Sequence, residues 1–281
     1  MTEYYFSLAG LPTLLRTPYE ITVSENLRPF FQEAHSNIHV TITLETQDTL
    51  PAMAPEGMWH GLEYYDRYQG ADRIFHCHAP GTKGFAVTQF LQDGNITITV
   101  LPQYLSYFTG SIGIFNRIGL ENLLLQHQGL LLHASLIKYK DNAIAFAGPS
   151  GVGKSTQADL WATHMGAEIL NGDRAALRNV QNWTAYGYPC AGTSGIYKND
   201  SAPLAGIVFL SQGQENHLRK LNAVEAFRLL YPEITIHRWD KTFVERATEL
   251  CTQLVAQVPV YYLECRPDRE AALLVQKGLM L

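Results

Sequence analysis

The chain has 281 residues, 46% of them hydrophobic and 17% charged, a composition that supports a folded core and excludes a disordered chain. A formal charge of −5 supplies no bulk attraction for nucleic acid or for an anionic membrane, so neither partner is expected and an anionic ligand must be held by a local site. Four scattered cysteines (Cys77, Cys190, Cys251, Cys265) form no CxxC pair and fit reduced thiols.

Residues 1–6 carry no basic and apolar leader pattern. The most apolar run, 123–137, is broken by Gln126, His127, Gln128 and His133 and is too short and polar to span a bilayer, so the expected location is cytoplasmic. In chain order, residues 1–127 read as a small β-rich domain, a candidate peptide- or partner-binding module. Strands are predicted at 4–8, 39–44, 74–78, 84–90 and 95–101, with a turn at Gln92-Asp93-Gly94-Asn95. Between Thr46 and Gly70, the breakers Pro51, Pro55, Gly57, Gly61 and Gly70 predict irregular chain. His76 and His78 share one strand face without a further ligand in the pattern, so zinc is not assigned there. Gly110-Ser111-Ile112-Gly113 reads as a turn, followed by one helix over 111–126 whose apolar face is Ile114, Ile118, Leu120, Leu123, Leu124 and Leu125.

From residue 128 strands and helices alternate, which predicts an α/β nucleotide domain over 128–281. Residues 130–139 and 142–147 pattern as a hairpin around Lys140-Asp141. Further strands are expected at 168–170, 206–210 and 258–264, and helices at 154–164, 223–230, 241–255 and 268–277. The stretch 186–220 reads as a flexible polar loop able to close over a ligand, with Lys198 its nearest cation and 215–220 a solvated turn.

The chemistry concentrates in Gly148-Pro149-Ser150-Gly151-Val152-Gly153-Lys154-Ser155, which fits G-x-x-x-x-G-K-[ST] between a predicted strand and a predicted helix. Glycines let successive amides face one concavity, and the helix adds unpaired N–H groups and the positive end of its dipole. The loop, with Gly148, Ser150, Gly151, Val152, Gly153, Lys154, Ser155 and Thr156 as binding residues, predicts an ATP site. Lys154 would meet the β/γ oxygens and Ser155 would ligate Mg²⁺. Asp173 follows a strand end in Asn171-Gly172-Asp173-Arg174, where a carboxylate can bind Mg²⁺ or take a hydroxyl proton. Arg174 reads as a surface charge. His133, fifteen residues before Gly148, would fold back toward the loop if the hairpin forms.

Together His133, the G-x-S-G-V-G-K-S type of loop and Asp173 resemble the HPr kinase/phosphorylase and PEP-carboxykinase superfamily over residues 128–210. His133-Ala134-Ser135 and Lys154-Ser155-Thr156 echo the PEP-carboxykinase elements. Tyr188-Pro189-Cys190-Ala191-Gly192-Thr193-Ser194-Gly195, followed by Ala202-Pro203-Leu204, is similar to the HPr-kinase-like peptide serine kinases of peptide-modification pathways. The resemblance implies a P-loop domain with a mixed sheet and a Mg²⁺- and ATP-dependent serine kinase acting on a peptide or protein. His133, Asp173 and Lys154 would be catalytic, and Ser155 and Asp173 would hold metal. The chain departs from the HPr kinase pattern at Gly172, where that family has the first of two aspartates. A small-molecule phosphotransferase and a non-catalytic nucleotide-sensing module remain as alternatives, and a homo-oligomer is left open.

Overall fold

The computed structural model describes residues 1–34, 37–52, 58–61, 65–69, 72–79, 82–91, 93–238 and 240–281. The chain divides into two units, Met1–Leu123 with His237–Val244, and Leu124–Ile236 with Glu245–Leu281. Both contain a mixed sheet and helices, so the fold class is α/β. Among the described residues no helix is long and apolar enough to cross a membrane.

The first unit is built on nine described strands: β1 (Thr2–Leu8), β2 (Leu11–Thr17), β3 (Phe31–Gln32), β4 (Val40–Thr46), β5 (Met58–Gly61), β6 (Tyr65–Gln69), β7 (Arg73–Cys77), β8 (Gly84–Phe90) and β9 (Ile96–Val100). They form one sheet in the order β3-β1-β2-β4-β9-β8-β7-β6-β5. The five predicted strands are present, and β2 was missed because its Leu11, Leu14 and Leu15 are all buried, which hides a period of two. The stretch expected to be irregular carries β5 and β6, paired antiparallel, while Pro55, Gly57 and Gly70, like Gln92 of the predicted turn, lie outside the described residues. His76 is buried with Nε2 2.8 Å from Thr88 Oγ1, and His78 packs its ring on Phe85 at 4.7 Å. The single helix predicted over 111–126 is two, α1 (Ser111–Ile118) and α2 (Leu120–Gln126), because Gly119 between them leaves the helical region at φ 62, ψ 94.

The second unit is carried by two long strands, β10 (Gly129–Tyr139) and β15 (Ser201–Gln212). Between them in sequence come β11 (Asn142–Ala147), α3 (Lys154–Met165), β12 (Glu168–Asn171), β13 (Arg174–Asn179) and β14 (Trp183–Tyr186). After them come β16 (His217–Lys220), α4 (Ala223–Glu233), α5 (Lys241–Gln257), β17 (Val260–Cys265) and α6 (Arg269–Leu279). The first half of β10 pairs with β13 as far as His133↔Arg174, and the second half pairs with β11 from Ala134↔Ala147 onward. β15 likewise runs against β14 at its start, then parallel to β11, then parallel to β17. The carboxyl ends of the parallel strands β11, β15 and β17 therefore lie along one edge.

Helix α3 sits on this sheet through Lys154, Gln157, Ala158 and Trp161, spaced three and four apart as one buried stripe. Trp161 is fully buried and meets Tyr139 edge-on at 5.2 Å. α4 starts in a capping box, Asn222 accepting from the Val224 and Glu225 amides, and the Asp268 side chain caps α6. The predicted solvated turn at 215–220 contains β16, a charged strand antiparallel to β17, and the strand predicted at 206–210 is longer, running over the whole of β15 within the stretch 186–220 read as a loop.

Candidate active site

The loop between β11 and α3 adopts the backbone its glycines permit. Gly148, Gly151 and Gly153 have φ of 134°, 78° and 113°, angles that side chains with a Cβ rarely take. Gly153 is the N-cap of α3 and no side chain caps that end, in contrast to α4 and α6. The amides of the first turn thus keep no side-chain acceptor and face an incoming anion with the positive end of the helix dipole. Lys154 is 8% exposed and folds over the loop, its Nζ donating to Gly148 O at 2.8 Å and Pro149 O at 3.2 Å. Burial is the largest influence on it and pulls its pKa below the ordinary lysine value, while the carboxylates of Glu233 and Asp173 act in the opposite sense. Ser155 and Thr156 are exposed on the same turn.

Facing the loop is a wall organised by a buried amide. Asn171, fully buried at the end of β12, accepts from the Asp173 and Arg174 amides at 2.8 and 2.7 Å, and donates through Nδ2 to Tyr188 O and Cys190 O. Ser135 Oγ donates to Gly172 O at 2.8 Å. These bonds fix the turn that presents Asp173. His133, on the last β10 residue paired with β13, has Nε2 3.3 Å from Asp173 Oδ1 and Nδ1 3.0 Å from Glu233 Oε2. Arg174 Nε lies 3.3 Å from Asp173 Oδ2, and its guanidinium donates to Thr235 Oγ1 at 3.2 Å. Carboxylate, imidazole, carboxylate and guanidinium thus form one continuous row.

Loop and wall bound a cavity of about 600 Å³. Ser150, Gly151, Gly153, Lys154, Ser155 and Thr156 line it from one side and His133 and Asp173 from the other. Of the residues named from sequence, Gly148 and Val152 are not in its lining; Gly148 holds Lys154 through its carbonyl, and Val152 lines a neighbouring cavity. Lys198 is not in the lining either, and its ammonium is 2.7 Å from Glu168 Oε1.

Three residues of this wall were not anticipated. Glu233 lies a hundred positions beyond His133, at the end of α4, and no local motif announces it. Arg174 is held against Asp173 rather than standing as a surface charge. Asn171 carried a usable signal, since an asparagine before Gly-Asp favours bonding its own backbone two residues on.

Gly172 has a steric reason to be glycine. A Cβ there would stand 2.3 Å from Ser194 Oγ and 2.4 Å from Ser194 Cβ, because the short 3₁₀ turn Gly192–Ser194 is seated on it. A Cβ on Gly192 would in turn come within 2.9 Å of Asp173 Cγ. The turn occupies the space that a second aspartate side chain would need.

The oxygens of Ser155 and Asp173 are hard donors on one cavity, a donor set that suits Mg²⁺, which takes one or two carboxylates and completes its shell with water and phosphate. Among the described residues no group of three or more His, Cys, Asp or Glu side chains is placed to hold an ion alone.

No protein-family model and no curated protein matches the chain. Among solved structures it is similar to the Hpr(Ser) kinase/phosphatase from Coxiella burnetii, at 13% identity and a TM-score of 0.33, over 53% of this chain and 88% of that one.

Proposed function

We propose that the chain is an ATP- and Mg²⁺-dependent kinase that transfers the γ-phosphate to a serine hydroxyl of a peptide or protein. The observation that carries this reading is the sharing of one cavity: Lys154, Ser155 and Thr156 on one wall, His133 and Asp173 on the other. The acceptor class comes from the sequence resemblance of residues 188–195 and 202–204 to the HPr-kinase-like peptide kinases.

In this reading the loop amides and the α3 amino end receive the phosphates, and Lys154 exchanges its two carbonyl partners for phosphate oxygens. Asp173 takes the proton of the acceptor hydroxyl as its oxygen bonds to the γ-phosphorus and the bond to the bridging oxygen breaks, releasing ADP. His133, held between Asp173 and Glu233 through its two ring nitrogens, orients Asp173. Mg²⁺, held by Ser155 and Asp173, would neutralise charge on the phosphates. Positioning and charge compensation do the work.

The test is transfer of labelled γ-phosphate to serine-containing peptides. Lys154→Ala should abolish transfer, and Asp173→Asn should lower turnover about 10²- to 10⁴-fold, the range for a positioned acid or base, with a smaller change in ATP affinity. Equal turnover in Asp173→Asn and the unaltered protein would remove Asp173 from the chemistry.

A further inference from the structure

The phosphate loop has a second cavity on its other side, of about 710 Å³, which shares Gly151, Gly153 and Thr156 with the first. It opens at the carboxyl ends of the parallel strands β11, β15 and β17, the edge on which α/β sheets collect their ligands. Its size is that of a small-molecule pocket. Its chemistry is unlike that of the first. Among the described residues lining it there is no lysine, arginine or histidine; its polar side chains are the amides of Gln157, Gln212 and Gln214, the carboxylate of Glu264, the thiol of Cys265 and the hydroxyl of Thr156 that it shares with the first. Away from the shared loop residues a phosphate tail meets no cation there, whereas a neutral base edge and sugar hydroxyls meet amides and a carboxylate acceptor.

A second observation points the same way. Gln157 is 2% exposed and lies one turn into α3; its Nε2 donates to Cys265 Sγ at 3.3 Å, and its Oε1 has no hydrogen-bond partner among the described residues. Buried amide oxygens are rarely left so, and an unsatisfied one in the wall of a pocket is an acceptor awaiting a donor. Gln212, which donates to Gly151 O at 3.4 Å, ties the far wall of the cavity to the phosphate loop. A ligand with its charged tail on the loop can therefore run continuously from one cavity into the other.

We infer that this second cavity is the nucleoside pocket: it holds a purine riboside whose exocyclic amino group donates to Gln157 Oε1, with Glu264 and the amides of Gln212 and Gln214 toward the sugar. The inference rests on the proposed nucleotide site, and it fixes the direction of the ligand, base toward β15 and β17 and terminal phosphate toward His133 and Asp173.

The experiment compares binding of Mg-ATP and Mg-tripolyphosphate by titration calorimetry, in the unaltered protein and in Gln157→Leu. The unaltered protein should bind ATP at least tenfold tighter than tripolyphosphate, and Gln157→Leu should bring the two within about threefold by weakening ATP alone. Equal affinities in the unaltered protein, or an unchanged ratio in the variant, would overturn the pocket while leaving the phosphate loop standing. If neither ligand binds, the phosphate-loop reading falls and the pocket with it. Because Gln157 is buried and its replacement could unfold the chain, a second measurement uses the unaltered protein. Alkylation of Cys265 by N-ethylmaleimide, followed by peptide mass spectrometry, should be slowed by ATP and not by tripolyphosphate; equal slowing by both, or by neither, refutes the assignment.

Discussion

Gly172→Ala is the sharpest perturbation of the acidic wall. The new Cβ would lie 2.4 Å from Ser194 Cβ, where carbon atoms rest at about 3.5–4.0 Å, an overlap of more than an ångström. Rotating Ser194 does not relieve it, because Cβ is fixed to the backbone of the turn. The turn itself must move, and Ser194 Oγ, which donates to Ala191 O at 2.6 Å, moves with it. Overpacking of this size costs about 1–3 kcal/mol. At about 2–4 °C per kcal/mol for a body of 150–250 residues, the unfolding midpoint should fall by roughly 2–12 °C. Ser194→Gly removes both overlapping atoms, so the double variant Gly172→Ala/Ser194→Gly should recover most of the loss, a favourable coupling of about 1–3 kcal/mol in a double-mutant cycle. Because Gly192 sits against Asp173, displacement of the turn should also lower turnover of phosphate transfer while tripolyphosphate binding is kept. Thermal unfolding and steady-state transfer at saturating ATP read the two effects. An unchanged midpoint in Gly172→Ala, or the same loss with and without Ser194→Gly, would refute the reasoning.

Glu233→Gln keeps the shape of the contact to His133 Nδ1 and removes its charge; turnover should drop about 10- to 100-fold, as when the carboxylate that orients an imidazole is lost, with the ATP KM little changed. A rise in KM without loss of turnover would make Glu233 a ground-state binding residue instead. On the opposite face, Lys138 Nζ donates to Asp200 Oδ2 at 2.6 Å; that bond raises the lysine pKa. Burial pushes Asp200 up, but the bonds from Lys138 and the Ser201 amide prevail and hold it below the usual carboxylate value. A depressed carboxylate stabilises above its unfolded pKa of about 3.9 and loses that as pH falls through its folded value; the raised lysine loses its share above about pH 10.4. Asp200→Asn should therefore cost under about 1 kcal/mol at pH 7, the pair being partly exposed, and less near pH 3. Urea denaturation at the two pH values checks this, and a pH-independent loss would rule out an ionic origin.

What could be read from sequence was whatever depends on near neighbours. The β10–β11 hairpin and α3 were legible because strand and helix periods are short-range, and the glycines of the loop between β11 and α3 carry their backbone angles in their identity. Asp173 was found from its place after a strand. Glu233 was not, since its contact with His133 depends on how α4 packs back after six more strands. β16 was hidden by its composition: His217, Arg219 and Lys220 suit an edge strand, which charges protect from further pairing, and the same charges imitate a solvated turn. The break at Gly119 was concealed by an apolar pattern that continues across it.

Gly172 links these observations into one account of the wall. A second aspartate beside Asp173 would set two like charges next to each other with only water or metal to separate them, which disfavours ionising both. Here the second carboxylate is Glu233, delivered from a distant helix to the opposite nitrogen of His133. The imidazole separates the two acids and gives each a partner, while Arg174 braces Asp173 from its other oxygen. With the second acid supplied by α4, position 172 is free to be glycine, and the Gly192–Ser194 turn closes over it against Asp173. The glycine at 172 and the closeness of that turn thus go together, made possible because β10 changes partners at His133 and opens the sheet where the row of charges stands.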